Sequence, residues 1–351
     1  MLATNLPAQF KVSVIALNRG GHYAQRLRDA GIPVHVLQKR FRFDPLTWWR
    51  LRRLLKQLRP DIVQSYLFAA NSYVRLPGIG SKDVRVIVSE RCVDSWKSGW
   101  QLAIDRQLKN RMHALTANSN SVAKFYLQQT GISEDVISVI PNGVSERQTL
   151  DPADIRSELD LPGDSKLVGF VGRLAPQKCL KDLVWGFHLL QSDIDNVFLI
   201  IFGDGPSRNE LAEFASQLGC RDRIYFTGHR DDALDVIEQL DVFCLPSSFE
   251  GMSNSLMEAM SAGVPAVVSN IPANLELVEH ENTGLVFHLA QGPEIAKSLK
   301  RVLEDGELAG RLSESAQARI RTEHSVQQLV DRHVELYERL IHSDSKNTES
   351  H

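Results

Sequence analysis

Short apolar runs of four to six residues recur along the whole chain, and most are followed by a longer segment with helical spacing. This alternation is the mark of parallel βαβ construction and constrains the fold more than any other feature. In the first half the strand candidates are Val12–Leu17, Val34–Leu37, Asp61–Tyr66, Val84–Ser89, Ala114–Asn118 and Val136–Ile140. In the second half they are Leu167–Val171, Val197–Phe202, Ile224–Thr227, Val242–Leu245, Ala266–Ser269 and Gly284–Phe287. Both sets are rich in Val, Ile and Leu with little polar alternation, as strands covered on two faces must be. Two sets predict two doubly wound parallel-sheet domains, and 351 residues suit two cores better than one. Residues 141–164 have the turn chemistry of a linker with a short helix. The predicted division is 1–145, 146–324, a C-terminal helix over 325–343, and a frayed tail over 344–351.

No stretch approaches about 18 uninterrupted apolar residues, and MLATNLPAQF has no basic region leading into an apolar one, so neither a spanning helix nor a signal peptide is predicted. Cys92, Cys179, Cys220 and Cys244 are scattered, which fits a reducing compartment and neither a disulfide frame nor a zinc site. A cytoplasmic protein is expected. Residues 1–145 carry 21 Lys/Arg against 9 Asp/Glu, a net +12, whereas the remainder nets −15. A basic half beside an acidic one predicts that the first half meets an anionic surface or acceptor. No nucleic-acid partner is expected.

Two segments carry chemistry. In Phe170–Lys178 (FVGRLAPQK) a buried strand ends at Val171, Gly172 allows a tight turn, and Arg173 and Lys178 follow outside the strand's carboxyl end. Ligands bind at that edge of an open α/β sheet, and an Arg fork with a Lys point charge suits a diphosphate. In SSFEGMSNSLMEAMSAGVPAVVS the strand Val242–Leu245 leads to a polar loop with Glu250, and a helix from about Ser255 carries Glu258. Both carboxylates then lie at the mouth of the sheet, where they suit sugar or ribose hydroxyls. The Gly251–Ser255 amides lie at a helix N-terminus, where anionic oxygens are bound. The Asp193–Asp195 pair precedes a strand at its amino end and reads as solvated turn chemistry.

GRLAPQK followed by E-G-M-S-N-S-L-M-E resembles the family-four glycosyltransferases, whose donor domain carries G-R-L-x-x-x-K and E-x₇-E. FGDGPSR and FTGHRDD come in the same order, and RPDIV, SERCVDSWKS, ANS and IPNG in the first half are also similar to that family. The resemblance implies a GT-B fold, with two Rossmann-like domains facing a cleft. It also implies a retaining transfer of a hexose from a nucleoside-diphosphate sugar to a lipid-linked or saccharide acceptor, without a metal or other cofactor. Front-side attack, with the departing phosphate taking the acceptor proton, is the family's mechanism. The donor implied is UDP-linked, with GDP- or ADP-linked sugars as alternatives. Carried over by position, Arg173 and Lys178 neutralise the diphosphate and Glu250 holds the donor sugar, these three forming the catalytic set. Glu258 takes the ribose. Gly172, Gly251, Met252, Ser253, Asn254 and Ser255 line the donor, and Arg230 and Asp232 edge the base. A sugar-nucleotide epimerase of the same fold, or a donor-binding remnant without transfer, are the competing readings.

The first half departs from the family's pattern. Histidines that the family often carries are replaced by Gln64-Ser65-Tyr66 and Ser89-Glu90-Arg91, so Tyr66 and Glu90 become the acceptor-side candidates. The family's opening strand and glycine-rich loop are also missing, since Val12–Leu17 matches its second strand. That opening strand is central in a 3-2-1-4 order, so its flanking strands would stand about 9.6 Å apart, twice the usual step. They could not pair, and each orphaned backbone group would cost about 1–3 kcal/mol. A truncated or wrongly placed start accounts for this most simply.

A second site is suggested by Asp44-Pro45 ahead of LTWWRLRRLLKQLR, an N-cap with Pro at the first helical position. At about 100° per residue, Trp48, Leu51, Leu54, Leu55 and Leu58 form the core face. Trp49, Arg52, Arg53 and Lys56 form the outer one. Aromatic and cationic side chains together on an outward face predict contact with an anionic membrane, on its inner side.

Overall fold

The computed structural model describes residues 1–21, 23–79, 84–93, 97–145, 154–230 and 232–342. Part of the expected linker, part of SERCVDSWKS, one residue of the FTGHRDD loop and the tail 344–351 lie outside the described residues. All twelve strand candidates are strands: β1 Val14–Ala16, β2 Val34–Val36, β3 Ile62–Tyr66, β4 Arg85–Glu90, β5 Ala114–Ala117, β6 Ile137–Val139, β7 Lys166–Val171, β8 Val197–Phe202, β9 Ile224–Gly228, β10 Val242–Leu245, β11 Ala266–Ser269 and β12 Leu285–Phe287. The chain divides into two units, Met1–Gly143 with Val326–His351, and Val144–Ser325. The C-terminal helix Val326–His342 thus belongs to the first unit, where Leu329, Leu336 and Tyr337 pack with Ile87 of β4 and Ala114 of β5.

In the second unit six parallel strands run in the order β12-β11-β10-β7-β8-β9. The chain winds outward from β7 through β9, then returns to β10 beside β7 and winds the other way. Val242 of β10 therefore pairs with Val168 of β7, and the switch point lies between their carboxyl ends. Strands β10 and β11 are buried at every residue, and one core cluster runs through the unit, with Phe170, Phe187, Phe202 and Phe243 among its largest side chains. The full burial of these strands explains their unbroken apolar sequences.

The first unit holds a four-stranded parallel sheet, β3-β4-β5-β6, and a separate two-stranded parallel ribbon, β1-β2. Among the described residues no strand joins them. The ribbon is anchored through side chains: Ile15 and Leu17 pack with Leu51 and Leu55 of the helix Pro45–Leu58, against which Val63 of β3 also packs. Every residue of β1 and β2 is only half-buried, unlike β4 and β5, which are wholly buried. Among the described residues no helix is long and apolar enough to cross a membrane.

Candidate active site

The second unit brings the two chemistry-bearing segments together because each leaves one of the two strands flanking the switch point. Beyond β7 the chain turns at Gly172, whose φ of +155° favours glycine. Backbone hydrogen bonds then lock three loops: Leu174 N donates to Asp204 O at 3.0 Å, Ser207 N to Leu174 O at 3.0 Å, and Gly203 N to Gly228 O at 2.7 Å. The approach is so close that a Cβ on Gly203 would lie 2.0 Å from Gly172 O, and one on Gly205 would lie 2.4 Å from Leu174 O. This gives the GDG sequence a reason: the glycines let the FGDGPSR loop lie directly on the Gly172–Leu174 backbone.

Lys178 ends a one-turn helix, Pro176–Lys178, and its Nζ donates to Glu250 Oε1 at 2.5 Å with both side chains nearly buried. Ser248 donates from both N and Oγ to Gln177 O, at 2.9 and 3.1 Å, tying the loop after β10 to the Lys178 turn. Arg173 is exposed, and no ion pair engages it among the described residues. One cation is thus held by a carboxylate and the other stands open at the ligand edge.

Gly251, Met252 and Ser253 are buried, and Ser253 caps the helix Asn254–Ser261 by accepting from Leu256 N. Asn254 is exposed, and Ser255 Oγ lies 3.3 Å from Ser253 Oγ. Glu258, one turn into that helix, is half-buried, and burial pushes its carboxyl up to about 7 from an ordinary 4.5. Arg230 and Asp232 take a different form from that expected. The guanidinium meets Asp232 through Nε and Nη2 at 2.9 and 2.8 Å and Glu158 through Nη1 at 2.5 Å, so its charge is already balanced. Donating to the two carboxylates raises the pKa of Arg230, and the hydrogen bonds Asp232 accepts from Arg230 lower that of Asp232. Asp193 pairs with Lys300 at 2.8 Å in the turn before β8, as turn chemistry would have it.

In the first unit Tyr66 ends β3 and is 38% exposed, but Glu90 is only 3% exposed. Glu90 accepts from Asn71 Nδ2 at 3.0 Å and Lys97 Nζ at 3.4 Å, and Lys97 also meets Asp105 at 3.1 Å. An acceptor-facing role for Glu90 is therefore corrected: a carboxylate sunk among its own partners braces the strand end. On the helix Pro45–Leu58, Asp44 caps as expected, Leu51 and Leu55 are buried, and Trp49, Arg53 and Lys56 are exposed. Arg52 is corrected. It is half-buried, with its guanidinium 5.7 Å from the Trp48 ring centre and packed on Gly78. At about 100° per residue it lies only about 40° from Trp48, at the margin of the core face. The sequence reading passed over Phe41 and Phe43, 69% and 66% exposed, although KRFRF interleaves aromatics and cations plainly.

Comparison with known proteins follows this geometry. Residues 1–148 match the family described as Glycosyltransferase Family 4, and residues 151–319 match Glycosyl transferases group 1. The lipopolysaccharide core biosynthesis glycosyltransferase LpsD of Rhizobium meliloti is 25% identical over 291 residues, 83% of this chain and 79% of that protein. The UDP-Gal:alpha-D-GlcNAc-diphosphoundecaprenol alpha-1,3-galactosyltransferase of Escherichia coli is 32% identical over 57% of this chain and 54% of its own. The structure of Anabaena HepE in complex with UDP matches with a TM-score of 0.80 and 19% identity, over 94% of this chain and 100% of that one. Sequence families and fold together show that the chain belongs to the family-four glycosyltransferases of GT-B fold.

Proposed function

We propose that this chain transfers a hexose from a UDP-sugar to a lipid-linked or saccharide acceptor with retention of configuration. The observation that carries the reading is the trio at the switch point: Lys178 paired to Glu250, with Arg173 open beside them. In the reaction the C1–O bond to the diphosphate breaks while the acceptor oxygen bonds to C1 on the same face. The acceptor's proton passes to the departing phosphate oxygen. Charge accumulates on the diphosphate, and two preorganised cations lower the barrier by meeting it. In this reading Glu250 accepts from sugar hydroxyls while it holds Lys178, and Glu258 accepts from the ribose. Arg173 and Lys178 supply the charge that a metal supplies in other transferases, so transfer is expected to persist in EDTA. UDP is favoured as the nucleotide because the E. coli relative is named for UDP-Gal and HepE was solved with UDP. A lipid-linked acceptor at the inner face of a membrane suits the exposed Phe41, Phe43 and Trp49 among cations.

The test is UDP release from UDP-glucose and UDP-galactose in the presence of an acceptor panel. Arg173→Ala and Lys178→Ala are each expected to cut transfer by roughly 10²-fold or more, with the melting temperature little changed by Arg173→Ala and lowered by Lys178→Ala, which leaves Glu250 without its partner. Wild-type rates in both variants would sink the assignment. Loss of transfer in EDTA that Mn²⁺ restores would remove the metal-independent part.

A further inference from the structure

At the end of β4 the alternation of the strand sends Glu90 inward and leaves its neighbour Arg91 exposed. Arg91 is held by two further strand ends. Asn118, just past β5, donates from Nδ2 to the Arg91 carbonyl at 3.2 Å, and Asn142, beyond β6, accepts from Arg91 Nη2 at 2.5 Å. Tyr66 ends β3 opposite Ser89 of β4, two residues before Arg91, near enough for the Arg91 charge to act on its phenol. Burial raises the phenol's pKa and the positive charge of Arg91 opposes that rise; loss of water around Arg91 lowers its own pKa.

Neighbouring cations of this unit are spoken for: Arg75 meets Asp105 at 2.5 Å, and Lys97 meets Asp105 and Glu90. Arg91 has a neutral amide as its partner, and no carboxylate pairs with it among the described residues. An exposed guanidinium, fixed in place by a neutral amide and without a paired carboxylate among the described residues, is poised for an anion. It stands outside the carboxyl ends of a parallel sheet, where such folds bind ligands. Arg91 belongs to the first unit, whereas the Arg173 and Lys178 cations belong to the second.

We propose that Arg91, assisted by the Tyr66 hydroxyl, binds an anionic group carried by the acceptor, a phosphate or a carboxylate. Acceptor charge thereby becomes a determinant of specificity. The inference rests on the transferase reading above, and its test has one arm that does not depend on that reading.

In the first arm, inorganic phosphate and acetate are titrated into the Arg173→Ala, Lys178→Ala double variant, so that the donor cations are silent. Chemical shifts of ¹⁵N-labelled arginine side chains are followed. Saturable phosphate binding is expected, weakened at least tenfold when Arg91→Gln is added and about threefold by Tyr66→Phe. In the second arm, wild type and Arg91→Gln are compared on a phosphorylated glycoside, a uronic-acid glycoside and their neutral parent. Wild type is expected to favour a charged acceptor at least tenfold in kcat/KM. The substitution should abolish that preference through KM, with kcat and the Kd for UDP unchanged. The phosphorylated and carboxylated acceptors distinguish the two sources of charge. Arg91→Lys, which keeps the charge, should retain part of the preference and serves if the glutamine variant melts early. Phosphate binding that ignores Arg91 would overturn the proposal, as would equal losses on charged and neutral acceptors. Failure of UDP to bind wild type would overturn the transferase reading while leaving the phosphate arm to judge Arg91.

Discussion

Glu258 is the residue whose environment makes the sharpest demand on pH. With its carboxyl near 7, the ionised form that the proposed function assigns to the ribose hydroxyls is depleted below neutrality. Calorimetry should therefore find UDP bound about tenfold more weakly at pH 6 than at pH 8, each unit below the pKa being roughly a factor of ten. Glu258→Gln should bind weakly at both. Stability runs the opposite way. The folded pKa lies above the ordinary 4.5, so this group favours folding at low pH, and that contribution is lost as the pH rises through about 7. Glu258→Gln should accordingly raise Tm at pH 8, by a change worth roughly 1–3 kcal/mol, and leave it unchanged at pH 4. Glu258, Glu250, Arg173 and Lys178 were legible in the sequence because each follows a strand end at short range. The state of Glu90 and Arg230 was not, because it depends on Asn71, Lys97 and Glu158, which chain folding alone brings near.

Loops and helices carry the next set of expectations. Gly203→Ala would set a methyl 2.0 Å from Gly172 O, well inside contact distance, and the Gly172–Leu174 backbone must shift to admit it. Overpacking of this kind costs about 1–3 kcal/mol. Here it also moves Arg173, so UDP affinity is expected to fall at least tenfold while Gly219→Ala, at a glycine with no neighbour in reach, leaves it unchanged. Equal UDP affinity in both variants would deny the loop its role. For the helix Pro45–Leu58, co-sedimentation with anionic vesicles should weaken as salt rises, since each cation near such a surface contributes about 1 kcal/mol and screening sets in within about 8 Å at physiological salt. Phe41, Phe43 and Trp49 replaced together by Ser should abolish most of it, and Arg52→Gln should matter less than Arg53→Gln because Arg52 rests on Trp48. Sedimentation of the triple variant at the wild-type level would make the patch an ordinary surface. Strands such as β4, β5, β10 and β11 could be read because burial on both faces leaves them without polar alternation, whereas the half-buried β1 and β2 were read from their short apolar runs alone. The helix was mis-sorted at two residues: Arg52 lies at the margin between its faces, and Leu58, placed on the core face, is left exposed where the last turn ends.

At the scale of the whole chain the two units differ in how their cores are built. The second has one cluster spanning its sheet, whereas the buried side chains of the first fall into three smaller ones. Scanning calorimetry should then resolve two transitions, the first unit melting lower. UDP at about 100 times its Kd should move only the upper one, by a stabilisation of about 2.7 kcal/mol. The ribbon of β1 and β2 carries this contrast further. It shares no strand pairing with β3 among the described residues and is moored by Ile15, Leu17 and Leu37 in a small cluster with Leu51, Leu55 and Tyr73, with Arg50 Nη1 donating to Leu37 O at 2.9 Å. Opening it breaks few apolar contacts, so it should behave as a cooperative unit of its own, separating without melting β4 and β5. Amide exchange at Val14 and Leu37, which donate across the ribbon to Pro33 O and Ala16 O, should be orders of magnitude faster than at Ile87 or Leu115, and it should be insensitive to UDP. The same reversible opening would make the first forty residues the earliest point of attack for a protease added to the native enzyme.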